Sequence, residues 1–506
     1  MRASFLQLSL VMFPALGLVQ PLAGQASPLL PVDDPRLPLL EHLIARGDVD
    51  DPSPMQRPFK RSVAAEALSR GRFAPRSASA GIARTLLEAF GTSPNKGLWS
   101  IRGAAGAQGF SQARRELLQP AGDGGVKPFG EVGGEAAYGV LAGGGRAAYE
   151  PRLALDPDWI DSTSTAPREA RWRMPEAYAM LDLGWGRVTA GQYPEQLGTN
   201  GLAGIPLGTD AYPRPVLSLE ARLGPVQLLA EGSNLRQVSA AIRPERYRSF
   251  VMHRAAVTVS PALHFAVWES GLVSTTSGGA GSFFVNPLRP LLLSHLFGTA
   301  DDQNVMFGLD ATWRPVRTLR LEAQGALDDV GSDGGDGAKR PARWAASLGA
   351  AGALGRALSW QARVTAATSL VYRTHRPEEY YTDGGIGLGR NFADQVLATV
   401  QVGIPVRSAW LVSPELAFLR QGEGRLDAPF PTGSALADTP TFFIGTPRTT
   451  WRAGAHLAGQ RGPVALSGFG GVHHSINVGN ISGRTETGFE GRLQATLGFS
   501  LGGPLR

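Results

Sequence analysis

The sequence predicts an all-β fold, a transmembrane antiparallel barrel of about 18 strands preceded by a small helical domain. Three observations carry this expectation. Apolar and polar residues alternate with a period of two from about residue 97 to the C-terminal region. The alternating segments are joined by short turns and long polar stretches in regular succession. The first 26 residues have the make-up of an export leader. The resulting layout is a leader over 1–26, a periplasmic or lumenal helical domain over 27–95, and an outer-membrane barrel over 96–506.

The bulk numbers agree with a barrel. A barrel grows by adding hairpins, so 506 residues do not require several domains. Mean hydropathy is −0.08, because only every second residue of a barrel strand faces lipid. After residue 25 no apolar run is long enough for a membrane helix. Cysteine is absent, which excludes disulfides, thiolate metal sites and cysteine nucleophiles. The net charge of +6 is carried by arginine, since lysine occurs only at Lys60, Lys96, Lys127 and Lys339. Arginine grips carboxylates and phosphates bidentately, which suits an acidic polymer. A codon preference for arginine accounts for the same composition. No nucleic-acid module or basic tail is present, so nucleic acid is not an expected partner.

The leader has Arg2 at its charged end and an apolar stretch over 5–22, broken by Pro14 and Pro21. Gly24 and Ala26 supply small residues for cleavage after Ala26. A short membrane anchor is the competing reading. Three helices are expected next. Asp33 or Asp34 can cap the first, Pro35 suits its first turn, and Leu39, Leu40, Leu43 and Ile44 form its stripe before Gly47. A second runs over about 62–70. A third carries Ile82, Leu86, Leu87 and Phe90 and ends at Gly91.

The strands then read by alternation. Leu319, Leu321, Ala323, Gly325 and Leu327 oppose Arg320, Glu322, Gln324, Ala326 and Asp328. Phe489, Leu493, Leu497 and Phe499 oppose Glu490, Arg492, Gln494 and Thr496. A soluble sandwich also alternates, so the connections decide. Short turns are expected at 143–145, 184–186, 224–225, 260–262, 314–317, 354–357, 405–408 and 460–463. Long loops fall between them at 111–129, 156–173, 193–214, 235–248, 273–303, 329–342, 372–391, 421–448 and 473–485. Only a membrane barrel sorts its connections in this way.

Residues 250–330 hold an ordered set of short motifs: His253-Arg254, Trp268-Glu269-Ser270-Gly271, Asn286-Pro287-Leu288, Asp302-Gln303-Asn304, Gly308-Leu309-Asp310 and Leu327-Asp328-Asp329. In order and spacing this set resembles the Wzi-type capsule-assembly outer-membrane proteins. The resemblance implies a barrel that binds capsular polysaccharide at the cell surface. It marks His253, Arg254, Glu269, Asn286, Pro287, Asp302, Asn304, Asp310, Asp328 and Asp329 as family positions. The competing reading is architectural, because Asn, Asp and Pro are ordinary residues where strands meet loops. His253, Glu269 and Asp310 are expected on the lumen side, bonding to other polar residues.

Two loops have the chemistry of sugar contact. One carries Trp159, Arg171 and Trp172; the other carries Arg376, Tyr380 and Tyr381. Sugar faces stack on aromatic rings, and arginine bonds hydroxyl or acidic groups. A girdle at the bilayer edge uses the same aromatic residues. Consecutive residues His473 and His474 face opposite sides of a strand, which argues against a metal shared with His456. Gly384-Gly385-Ile386-Gly387 lacks a phosphate-binding context and reads as a flexible loop. No nucleophile, metal or carboxylate constellation points to an enzyme, and no cofactor is expected. The function that follows is a monomeric outer-membrane barrel, in contact with lipid, that binds a surface polysaccharide, possibly acidic, and helps attach or organise it. The alternative is a passive or gated pore plugged by the helices.

Overall fold

The computed structural model describes residues 26–91, 97–116, 118–159, 171–199, 204–209, 211–236, 247–275, 287–288, 291, 303–329, 341–389, 393–426 and 428–505. The expected leader, apart from Ala26, and the motif residues Asn286 and Asp302 lie outside the described residues.

Eighteen antiparallel strands form one closed barrel. They are β1 (Gly97–Phe110), β2 (Gly125–Tyr138), β3 (Leu141–Tyr149), β4 (Trp172–Asp182), β5 (Gly186–Gln192) and β6 (Pro215–Leu223). Then follow β7 (Val226–Leu235), β8 (Tyr247–Ser260), β9 (Leu263–Thr275), β10 (Gln303–Val316), β11 (Leu319–Asp329) and β12 (Arg343–Leu354). The last six are β13 (Leu358–Ala367), β14 (Gln395–Val406), β15 (Trp410–Gln421), β16 (Arg448–Arg461), β17 (Val464–Ile476) and β18 (Thr485–Leu505). Strand β18 closes onto β1, in register from Arg492 opposite Phe110 to Leu505 opposite Gly97. Closure leaves no sheet edge unpaired, which a lipid environment demands of a β-structure.

Short turns and long loops alternate around this barrel. One expected turn is misplaced. The chain reverses at Gly139-Val140, where Gly139 has φ +56°, and not at 143–145. Gly143 and Gly144 are strand residues with another task. A Cβ on Gly144 would come within 3.1–3.2 Å of the Tyr178 side chain, so Gly144 makes room for an inward tyrosine, while a Cβ on Gly143 would come within 3.0 Å of the Tyr178 carbonyl oxygen.

The alternation sorts the faces as physics requires. On β11, Arg320, Glu322 and Gln324 are buried in the lumen while Leu327 is 41% exposed on the outer wall. On β10, Asp310 is buried while Leu309 and Trp313 face outward. Burying these polar side chains is tolerable because they find partners across the lumen.

Among the described residues three helices precede the barrel: α1 (Leu37–Arg46), α2 (Arg61–Ser69) and α3 (Ala78–Phe90). The stripe of Leu39, Leu40, Leu43 and Ile44 is fully buried, against Ile82, Leu86 and Phe90 of α3 and Leu68 of α2. Gly47 ends α1 in the left-handed region with φ 75°. The N-terminus differs from expectation. Neither Asp33 nor Asp34 caps α1, whose N-cap is Arg36, and the first-turn proline is Pro38. Asp34 instead accepts from Arg36, at 2.9 Å from its backbone nitrogen.

The helices dock at the short-turn end of the lumen. Arg314 and Arg317, at the β10–β11 turn, donate to Ile44 O (2.8 Å) and Gly47 O (2.9 Å), carbonyls at the C-terminal end of α1. Arg46 returns bonds to Leu358 O (2.5 Å) and Arg356 O (3.0 Å). Further in, Arg320 pairs with Asp51 at 3.2 Å, Lys60 with Asp182 at 2.5 Å, and Arg61 bonds Glu135 at 2.7 Å.

Candidate functional site

The long loops do not all stand out from the barrel. Leu197, Ile205 and Leu207 of the 193–214 connection, and Tyr372, Tyr381 and Leu388 of the next inward one, enter the lumen. There they form one apolar core with Phe250, Met252, Trp268 and Met306. From the other end, Gln56–Arg57 rises and pairs with Gln196–Leu197. Loop and helical segment therefore meet inside the barrel on this side.

The motif residues hold this arrangement. Asp310 accepts three bonds: Arg254 Nε at 3.0 Å, Trp268 Nε1 at 3.0 Å and Gln324 Nε2 at 2.8 Å. Gln324 in turn accepts from Ile205 N at 2.8 Å. Asn304 donates to Glu379 O (3.2 Å), and Asp328 accepts from Tyr372 N (3.0 Å). Asp329 ends β11 in register with Arg343. These positions clamp loops inside the lumen, which is the architectural reading of the motif.

His253 and Glu269 depart from expectation: they face outward, not into the lumen. Their inward neighbours Arg254 and Trp268 occupy the lumen face, so one residue of register places His253 and Glu269 on the lipid side. The two are cross-strand partners bonded through Nδ1 and Oε1 at 2.7 Å. His253 Nε2 donates to Pro287 O at 2.7 Å, and Leu291 N to Glu269 at 3.4 Å. Leu291 is buried against Val251 and Val273, also on the outer wall. Pro287 and Leu291 thus lie on the outside of the barrel, anchored by the pair.

The expected sugar contacts divide. Tyr381 is 1% exposed, stacks near Phe250 and Tyr372, and donates its hydroxyl to Ser270 Oγ at 2.9 Å. Tyr380 is buried too, its carbonyl bonded to Arg248 at 2.6 Å. Neither offers a stacking face. Arg376 is partly exposed and bonds Glu379 at 3.1 Å. Trp172 faces outward at the loop end of β4, tilted against Tyr149 with centroids 5.2 Å apart, as a girdle residue does. Arg171 is exposed, and its carbonyl accepts from Glu150 N at 2.7 Å.

Trp159 belongs to a loop-face cluster. Its ring meets Tyr212 edge-on at 4.5 Å, and the Arg115 guanidinium lies over the Tyr212 ring at 4.0 Å. Arg114 pairs with Asp158 at 2.9 Å beside it. Leu153, Ala211 and Ile386 form the base. Arg115 and Tyr212 escaped the sequence reading, although the Arg114-Arg115 pair and Tyr212 both lie in stretches read as loops. Ile386 comes from a tight hairpin, not a flexible loop: Thr382–Asp383 pairs with Ile386–Gly387, and Gly384 and Gly385 turn with φ 60° and 86°.

A second region is polar. A cleft of about 420 Å3 lies between the helical segment and the β17–β4 wall, lined by Asp33, Arg102, Glu131, Glu135, Arg146 and Glu176 among others. Arg146 pairs with Asp33 (2.7 Å), Glu131 (3.1 Å) and Glu176 (3.0 Å). Toward the loop face stand Glu150, Arg152 and Arg173, with Glu150 bonded to both arginines. Burial would raise the Glu150 pKa, but Arg173 and Arg152 outweigh it and hold the carboxyl at about 2. Among the described residues no group of three or more His, Asp or Glu is placed to hold a metal. His473 faces the lumen beside Glu490, while His474 faces out to Thr487.

No family model matches the chain, and no curated protein matches it. Solved structures do. Wzi, an outer-membrane protein involved in group 1 capsule assembly in Escherichia coli and described as a carbohydrate-binding β-barrel, aligns with a TM-score of 0.63 at 14% identity, over 95% of this chain and 100% of its own. OccAB1 of Acinetobacter baumannii aligns over 80% of this chain and 97% of its own, with a TM-score of 0.46 at 10% identity. The outer-membrane protein OprD from Pseudomonas aeruginosa aligns over 80% and 94%, with a TM-score of 0.41 at 9% identity. The chain is a bacterial outer-membrane β-barrel with the fold of Wzi, its eighteen strands closed over three N-terminal helices.

Proposed function

We propose that this barrel binds a surface polysaccharide, capsular in type, at its loop face and helps to attach or organise it there. The observation that carries the reading is the half-buried Trp159 ring, held edge-on by the buried Tyr212 on a fixed apolar base, with Arg115 over Tyr212 beside it. A ring held in place loses little entropy on binding, and its open face matches the apolar faces of sugars. Arg114 and Arg115 beside it favour an acidic polymer. The carbohydrate binding described for Wzi, which has the same fold, agrees with this reading. The protein acts as a monomer without chemistry of its own, in contact with outer-membrane lipid.

The test is binding of the purified barrel to surface polysaccharides of its source organism, with a salt series. Binding that weakens as salt rises is expected, because exposed arginine–carboxylate contacts are screened. Absence of binding to every polymer, together with steady ion conductance, overturns the reading. Conductance is the second reading, and the polar cleft beside the helices favours it.

A further inference from the structure

The outer wall carries a groove that neither polysaccharide binding nor conduction uses. Two neighbouring lateral series of outward side chains define it. Leu219, Ala230, His253, Glu269 and Phe307 are successive register partners across β6–β10. Two residues nearer the short turns run Ala221, Leu228, Ala255, Val267 and Leu309. The small residues Ala230 and Ala255 form a floor. Leu219 and Leu228 rise on one side, Val267 and Phe307 on the other, around a volume of about 590 Å3. Leu288 overhangs the groove, and the Pro287 bond to His253 closes its loop-side end.

We infer that this groove seats one acyl chain of a phospholipid from the periplasmic leaflet. The groove opens onto the lipid-facing belt, so its occupant comes from the bilayer. It lies in the turn-side half of the wall, since Leu228 is only the third residue of β7 after the Gly224-Pro225 turn. Trp313, half exposed, marks the aromatic level beneath it, four residues after Leu309 along β10 and nearer the short turn. That separation is roughly 14 Å along the strand, within reach of a chain whose headgroup sits at the tryptophan level. Both His253 nitrogens and one Glu269 oxygen are already bonded, so the pair serves as an end wall and the recognition is apolar. A polar pair on a lipid face needs such bonds, because lipid offers it no partner. A flat wall selects no particular chain; a floor with two sides and a stop does.

The test uses the full chain in detergent, offered phosphatidylethanolamine and lipopolysaccharide together and examined by native mass spectrometry. One retained phosphatidylethanolamine per barrel is expected. Filling the floor with Ala230→Leu and Ala255→Leu should cut retention at least about ten-fold, whereas Ala136→Leu on the outer face of β2 should not. No retained phospholipid, retention unchanged by filling, or retention of lipopolysaccharide instead overturns the inference. If the filled variant does not fold, phosphatidylethanolamine with a photoreactive acyl chain is applied to the unaltered protein. Crosslinks concentrated on residues 219–230 and 255–267 support the groove, and crosslinks spread evenly around the barrel contradict it.

Discussion

Asp310 gathers a guanidinium, an indole and an amide onto one buried carboxylate. Asp310→Ala leaves Arg254 charged and unpaired in the lumen, and breaking such a pair costs about 3–5 kcal/mol. The urea midpoint of the refolded barrel should fall accordingly, and a loss under about 1 kcal/mol would show that the network does not hold the loops. Tyr381→Ala should also destabilise, by about 3–5 kcal/mol, because its ring sits in the lumenal core. His42 gives a pH dependence. Burial, then the nearby Arg46, lowers its pKa from 6.5 to about 4. The undocked chain therefore binds the proton more readily across that window. Docking of the helices is strongest above about pH 6.5 and weakens toward about pH 4, by up to about 3 kcal/mol. Protease protection of residues 37–90 against pH measures this, and His42→Asn should flatten the curve.

At the scale of elements, the strands were legible because lipid on one side and a bonded lumen on the other impose a period of two. The helices were legible from their stripes. What alternation could not reveal is the direction of a loop. Tyr380 and Tyr381 have the composition of an exposed platform, yet Asn304, Asp328 and Arg248 draw their segment inward. Polarity also misled at His253 and Glu269, because a polar residue can face lipid when bonded residues cover it; the covering residues Pro287 and Leu291 come from the connection after β9, whose path alternation does not reveal. The arginine clamp on α1 yields a test at this scale. Arg314→Ala with Arg317→Ala removes the bonds to Ile44 and Gly47. Amide exchange over α1 should quicken while exchange in β10 and β11 stays slow. Unchanged exchange over α1 would mean that packing alone holds the helix.

For the whole molecule, orientation and closure follow from the connections. A tag inserted at 432–435, in the long β15–β16 loop, should be reachable on intact cells, and a tag at 461–464, in a short turn, should not. Reversal of that pattern would invert the molecule. The loop-end core, the hairpin and the helices share the lumen, so the loop face stands as a firm base for the Arg115–Tyr212–Trp159 cluster. The most direct test is the affinity of the full-length barrel for polysaccharide from its source organism, with and without Arg115→Ala, Trp159→Ala and Tyr212→Ala combined. The account predicts at least about a ten-fold weaker Kd with the heat resistance of the barrel retained. Equal affinity in the triple variant would contradict it.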